Sequence, residues 1–368
     1  MRIAIDGRNL TQRLSGITRY VHEMSLELIR QGHEVQLYAP SPVADQVAPE
    51  IRARTRASNA VSPIARQVWA RTQLRRNIEA FGPDIFWGPA HRLPPGLDSD
   101  VTKVVTIHDV VWKLYPRTMS SRTWLGERLF MQSSLMSADG IVAVTNTTSA
   151  EISRWFPSVT APVQVIYPGA NTLNVARSAP FSSRVEDYVL FVGTLEPRKN
   201  LVRLIEAFSQ LPDKLSRNTP LVIVGGTGWK LKNLQELAQR LGMAERIRFL
   251  GHVDDKALSD LYARCLFLAM PSIYEGFGLP IIEANSAGRP ALVSTNSSMP
   301  EVAGDAALQV DAFSAASISS GLRRLIEDRD FRESLSAKAH SNAQRFDWGH
   351  AASNLISFFE ELRAKKTR

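Results

Sequence analysis

The stretch Tyr274–Glu283, YEGFGLPIIE, sets Glu275 and Glu283 on either side of a turn holding two glycines and a proline. It follows the apolar run Leu266–Ala269, which reads as a buried strand. Pro280 suits the first turn of a helix. An acid three residues later, Glu283, would be favoured there by the helix dipole alone, and Gly288 and Pro290 would end that helix. Glu275 has no such structural reason. It precedes the helix, beside Gly276 and Gly278, at a strand's carboxyl edge. Two acids that accept hydrogen bonds could each grip vicinal hydroxyls, as on a sugar or ribose. Neither reading needs a metal.

A second group of chemically capable residues lies in GTLEPRKNLVRLIEAF. Leu201, Leu204, Ile205 and Phe208 fall on one face of a helix, and Asn200 is placed to cap it. Arg198 and Lys199 then sit at that helix's N-terminus, where backbone N–H groups already favour an anion. Two cations there suit a diphosphate, or else form a solvated basic loop. GGTGWK fails both the Walker pattern and the dinucleotide fingerprint. Gly225 and Gly226 either admit a ligand to the backbone or turn the chain. His108, followed by Asp109, ends the run KVVTI and is either a packed residue or part of a site.

The elements that must position these residues are legible as alternation. RIAID, EVQLYAP, KVVTI, GIVAV and VQVIYPG are separated by amphipathic stretches, the first at Thr18–Arg30. After a polar lapse over residues 172–187, a second set begins: YVLFVG, PLVIVGG, RIRFLG, LFLAMPS and PALVS. Helices are predicted at Leu201–Gln210, Leu231–Leu241, Lys256–Ala263 and Pro280–Ala287. This is the βα alternation of doubly wound parallel sheets. It predicts a domain over 1–172, a linker over 173–187, and a second domain over 188–346. A closing helix over 347–368 has a basic end, RAKKTR, expected to fray. In open parallel sheets ligands bind beyond the strands' carboxyl ends, where the glycines, acids and basic residues fall. Two such edges facing each other would form a cleft.

The chain has 368 residues and a formal net charge of +8, which favours an anionic partner. The single cysteine, Cys265, sits among apolar residues and reads as core; with no second cysteine, a reducing, cytoplasmic setting is expected. No run approaches the roughly 18 apolar residues of a membrane span. Arg52, Arg54, Arg56, Arg66, Arg71, Arg75 and Arg76, interleaved with Ile64 and Trp69, form either a solvated basic face or a surface for anionic lipid and a lipid-linked acceptor. No helix-turn-helix, zinc pattern or RNA-binding aromatic motif supports nucleic acid. Asp328–Asp330, the one D-x-D string, lies in a charged segment and reads as surface.

EGFGLPIIE resembles the E-x7-E signature of family 4 glycosyltransferases, retaining enzymes of the GT-B fold. GTLEPRKN, GHVDD, STNSSMPEVAGDAALQVD, SGITRY and TIHD resemble further segments of that family, in the expected order along nearly the whole chain. The resemblance implies two Rossmann-like domains, the C-terminal helix crossing back to the first. It implies that Glu283 binds the nucleotide's ribose and Glu275 holds hydroxyls of the transferred sugar. Arg198 and Lys199 would neutralise the diphosphate, helped by backbone near Gly16. Val253 would lie near the base, and His108 near the reacting carbon. Gly193, Gly276, Phe277, Gly278 and Leu279 complete the implied donor site; no metal or other cofactor is expected. GDP-mannose is the preferred donor, with UDP-glucose and dTDP-rhamnose as alternatives, and a saccharide or lipid-linked saccharide the acceptor. A GT-B epimerase or phosphorylase is the competing reading.

Overall fold

A computed structural model describes residues 1–12, 16–170, 187–226 and 233–366. The chain forms two compact units. One comprises Met1–Lys113, Arg122–Gly169 and Asp347–Arg368, the other Leu114–Ser121 and Ala170–Phe346. The expected linker falls almost wholly outside the described residues.

Among the described residues the first unit holds seven strands: β1 (Arg2–Asp6), β2 (Glu34–Ala39), β3 (Thr55–Ala57), β4 (Ile85–Gly88), β5 (Thr102–Ile107), β6 (Gly140–Ala143) and β7 (Val163–Val165). They pair in parallel in the order β3-β2-β1-β4-β5-β6-β7. Its helices are α1 (Ile17–Arg30), α2 (Pro49–Ala53), α3 (Pro63–Arg71), α4 (Gln73–Phe81), α5 (Val111–Leu114), α6 (Ser121–Ser137) and α7 (Asn146–Trp155). Right-handed crossovers decide which face each helix covers. The steps from β1 to β2 to β3 run one way and put α1 and α2 on one face. There Val21, Met24, Leu28 and Ile51 pack with Ile3, Ile5 and Trp87. The steps from β3 to β4 and from β5 to β6 run the other way. They put α3, α4 and α6 on the opposite face, where Trp69, Leu74 and Ile78 pack with Ala4, Tyr38 and Phe86. Alternation along β1 sends Ile3 and Ile5 to one side and Ala4 to the other.

The second unit holds β8 (Val189–Val192), β9 (Leu221–Val224), β10 (Ile247–Gly251), β11 (Phe267–Met270), β12 (Ala291–Ser294) and β13 (Ala307–Val310). These too are parallel, in the order β10-β9-β8-β11-β12-β13. Its helices are α8 (Leu201–Ser209), α9 (Asp213–Asn218), α10 (Leu234–Arg240), α11 (Asp255–Arg264), α12 (Leu279–Ser286), α13 (Met299–Ala303), α14 (Ala315–Glu327) and α15 (Arg329–Ala343). Leu201, Leu204, Ile205 and Phe208 of α8 are buried together against the sheet, as their spacing predicts. Cys265 is a buried core residue, and burial pushes its thiol up to about 12. Asp328 caps α15 through Phe331 N–H.

The last helix, α16 (Trp348–Lys366), belongs to the first unit and packs beside α1 through Leu355, Phe358, Phe359 and Leu362. Its basic end does not fray within the described residues. Arg363 pairs with Asp84 at 2.7 Å, and Lys366 reaches Asp139 at 3.1 Å and the Val101 carbonyl at 3.0 Å. The sequence shows the charges but not the acids that the strand loops bring beneath them.

Candidate active site

Beyond the carboxyl end of β8 the chain turns at Gly193 and makes a 3-10 turn, Pro197–Lys199, before α8. This turn carries both basic residues into contact with acids. Arg198 donates to Glu196 Oε1 at 2.6 and 3.1 Å, to the Tyr274 carbonyl at 2.9 Å and to Glu275 Oε2 at 2.7 Å. Lys199 Nζ lies 2.7 Å from Glu275 Oε1. Glu196 and Glu275 are buried, and Arg198 and Lys199 nearly so. Burial pushes the Glu275 carboxyl up, but Arg198 and Lys199 outweigh it and hold it below its usual value. Buried charges persist only when paired, so two cations and two anions make a cluster of zero net charge. The two cations are therefore ion-paired and largely out of solvent, and Glu196, which sequence reasoning missed, joins Glu275 in offsetting their charge.

Asn200 also departs from expectation. Its backbone is left-handed, with φ 64°, and its side chain makes no cap. Instead Nδ2 donates to the Pro271 and Ala312 carbonyls, at 2.8 and 2.7 Å, and Oδ1 accepts from Arg203 at 2.6 Å. It ties the turn after β8 to the loops after β11 and β13. The Glu275 N–H donates to Ser297 Oγ, and Ser298 Oγ donates to the Glu275 and Phe277 carbonyls. The backbone of YEGFG is thus fixed from a second loop.

α12 begins at Leu279, after Gly278 at φ 104°. Glu283 is its fifth residue, past the first turn, so the dipole reason for an acid there is weakened. It is buried, and Tyr262 of α11 donates to its Oε2 at 2.8 Å. Phe277 turns its ring edge-on to Phe346, with centroids 5.5 Å apart. Its ring therefore serves the core. Glycines close the same edge: Gly193 lies against the Lys199 side chain, and a Cβ on Gly225, at φ 152°, would collide with the Gly193 carbonyl. Gly226 accepts from Leu195 N–H; residues 227–232 of the GGTGWK region lie outside the described residues. Val253 lines a groove of about 370 Å³ between β10 and α11, with Arg248, Leu250, Asp260 and Arg264 among its neighbours.

In the first unit, Gly16 precedes α1 at φ 45°, with nothing within 4 Å of where a Cβ would stand. His108 directly follows β5 and is buried, edge-on to Tyr20 at 4.7 Å. Its Nε2–H donates to the Pro89 carbonyl at 2.8 Å. Burial and the neighbouring His91 pull its pKa down to about 3. The ring is therefore neutral, with Nδ1 left as an acceptor; it is no proton donor near neutral pH. His91, itself at φ 64°, accepts the His108 backbone N–H at Nε2, 2.9 Å away. That acceptance places its proton on Nδ1, which faces Glu127 Oε2 at 3.0 Å. Burial pushes the Glu127 carboxyl up, but the hydrogen bond from His91 Nδ1–H and the Arg92 guanidinium outweigh it and hold it down to about 2. Sequence reasoning named His108 but neither His91 nor Glu127.

The profile described as "Glycosyltransferase Family 4" matches residues 14–172, and that described as "Glycosyl transferases group 1" matches 177–342. The two span most of the chain. The chain belongs to glycosyltransferase family 4. It is a glycosyltransferase with two Rossmann-like parallel sheets of the GT-B fold. It is 29% identical to "O-antigen chain mannosyltransferase B" of Escherichia coli, over 98% of this chain and all of that one. Among solved structures it resembles WaaG, a glycosyltransferase involved in lipopolysaccharide biosynthesis. That match has a TM-score of 0.75 and 20% identity, over 97% of this chain and 99% of that one. It also resembles Anabaena Alr3699/HepE in complex with UDP and glucose, with a TM-score of 0.75 and 18% identity, over 98% and 99%.

This family 4 chain splits the basic stretch expected to act as one surface. Arg52 and Arg54 lie at α2, where they donate to backbone carbonyls of Val47, Asp45 and Glu50. Arg56 sits on the edge strand β3. Arg66, Arg71, Arg75 and Arg76 lie on α3 and α4, against the opposite face of the sheet. Crossover handedness makes the split, and spacing along the chain does not reveal it.

Proposed function

We propose that this glycosyltransferase moves mannose, with retention, from GDP-mannose to a saccharide or lipid-linked saccharide during cell-surface polysaccharide synthesis. The observation that carries the donor chemistry is the neutral cluster of Glu196, Arg198, Lys199 and Glu275. Breaking the anomeric C–O bond builds positive charge on the sugar and negative charge on the departing diphosphate. Arg198 and Lys199 stabilise that anion, and removal of either is expected to cost about 2.7–4 kcal/mol of transition-state stabilisation. Glu275 Oε1 lies 2.7 Å from Lys199 Nζ, and its second lone pair can accept a sugar hydroxyl. Glu283 accepts from the ribose hydroxyls, held in place by Tyr262. The acceptor oxygen bonds to the anomeric carbon on the face the diphosphate leaves, and its proton passes to the leaving phosphate oxygen.

Mannose is favoured by the full-length similarity to the Escherichia coli O-antigen chain mannosyltransferase B. A lipid-linked acceptor would place the reaction at the inner face of a cytoplasmic membrane. The test is a thermal-shift panel of GDP-mannose, UDP-glucose, dTDP-rhamnose and their diphosphates, repeated on Glu283→Ala. A ligand that binds the native state raises the melting temperature. GDP-mannose is expected to stand out and to lose its effect in the variant. A dominant shift by UDP-glucose or dTDP-rhamnose would replace the donor; hydrolysis or isomerisation of the sugar without transfer would replace the reaction.

A further inference from the structure

Helices α3 and α6 carry aliphatic side chains that point away from the core they cover. On α3, Ile64 is 78% exposed and Val68 56%; on α6, Leu125, Leu129 and Met136 are each at least half exposed. Ile64 and Val68 are one helical turn apart, as are Leu125 and Leu129, with Met136 two turns further on. Each set therefore forms a stripe along one helix face. The inner faces are separately occupied, by Trp69 on α3 and by Met131 and Leu135 on α6. The two helices and α4 cover the same side of the first sheet. Residues 93–97 join them: the Leu93 N–H donates to Ser134 of α6, and Leu93 and Leu97 pack on the α3–α4 cluster.

Among the described residues, the exposed charges on these helices that make no ion pair are all basic. Arg66, Arg71, Arg76, Arg122 and Arg128 are exposed, and none makes an ion pair among the described residues. Arg128 lies over the Trp124 ring. The acids on these helices are engaged elsewhere. Glu127 turns inward to His91 and Arg92, and Glu79 pairs with Arg75. In the loop after β4, Asp98 lies near Arg75 at the start of α4, and Asp100 is exposed beside it.

We propose that α3, α4 and α6 form one docking face that lays the first unit on an anionic phospholipid bilayer. A nucleic acid would satisfy the arginines and leave the aliphatic stripes in water. A bilayer takes both, with the apolar stripes at the acyl boundary and guanidinium groups on the headgroup phosphates. No helix among the described residues is long and apolar enough to cross a membrane, so the contact is peripheral. Arg52 and Arg54, on the other side of the sheet, take no part. The face stands on its own chemistry, whichever sugar is transferred.

The experiment is co-sedimentation of the full chain with vesicles of phosphatidylcholine alone and of an equal mixture with phosphatidylglycerol, across a salt series. The wild type binds the mixed vesicles and not the neutral ones. An arginine near an anionic surface contributes roughly fivefold to partitioning, so Arg71→Glu with Arg122→Glu lowers binding at least about 25-fold. Leu125→Ser with Leu129→Ser removes the part of the binding that survives high salt. Both variants keep the wild-type melting temperature, because all four positions are exposed. Equal binding to neutral vesicles, no binding by the wild type, or unchanged binding in both variants overturns the proposal. So does a change in oligomeric mass without a change in vesicle binding, which would make the face a contact between copies. Binding of random duplex DNA that is lost in the arginine variant and kept in the leucine variant would assign the face to nucleic acid instead.

Discussion

Glu196→Gln should weaken the empty enzyme and strengthen its grip on a nucleoside diphosphate. Glu196 is 3% exposed and accepts two N–H bonds from Arg198, at 2.6 and 3.1 Å. Glutamine keeps an acceptor there but removes the charge. Breaking a buried ion pair by removing one partner costs about 3–5 kcal/mol. Two features reduce that figure: the amide oxygen still accepts, and Glu275 still holds Arg198 at 2.7 Å. The expected loss is about 2 kcal/mol. At roughly 2–4 °C per kcal/mol for a unit of this size, melting falls by about 4–8 °C. The cluster meanwhile passes from neutral to a charge of +1. A unit charge about 6 Å from a phosphate oxygen is worth about 2.8 kcal/mol at an effective dielectric near 20. Arg198 keeps 18% of its side chain in solvent, which screens part of this. GDP should bind about tenfold more tightly, close to half of the Coulomb figure. The assay pairs thermal melting without ligand with calorimetric titration of GDP. A variant with unchanged melting and unchanged or weaker GDP binding would show that Glu196 does not offset the cations, and the diphosphate role of the cluster would fail with it.

Two further predictions concern the strand-end residues. The His108 pKa of about 3 lies below its ordinary 6.5, so the folded state favours the neutral ring. Its contribution to stability is complete above pH 6.5 and is lost as pH falls from there towards 3, by at most about 1.4 kcal/mol per pH unit. Denaturant unfolding of the wild type should therefore lose stability between pH 6.5 and 4 more steeply than that of His108→Gln; parallel curves would mean the ring is not held neutral. Gly225→Ala should lower the denaturation midpoint by an amount equivalent to at least about 2 kcal/mol, because its φ of 152° and the adjacent Gly193 carbonyl leave no place for a Cβ. A midpoint equal to the wild type's would show that the loops after β8 and β9 are not close-packed.

Much of the fold was legible because its signals are local. Short apolar runs and amphipathic helices alternate within windows of a few residues, and that alternation alone implies parallel sheets. The rule that ligands sit beyond strand ends then singles out His108, Arg198, Lys199, Glu275 and Glu283 as candidates from the sequence. Boundaries moved by only a few residues, as where α12 begins at Leu279 instead of Pro280.

By itself, then, the sequence determined two βα units, the buried face of α8, and a set of chemically capable residues at strand ends. Those follow from backbone periodicity, which each segment carries within itself. Only the tertiary structure decided how the charges are paired and which way each surface faces. Glu275 meets Arg198 across 77 positions of chain, and Asp84 meets Arg363 across 279. Asn200 had the composition of a cap and became a tie between three loops, because the left-handed turn aimed its amide at two carbonyls. Arginines close in sequence separated onto opposite faces of one sheet because successive crossovers run in opposite directions. Ion pairing and exposure depend on what folding brings within a few ångströms, and no local pattern records that.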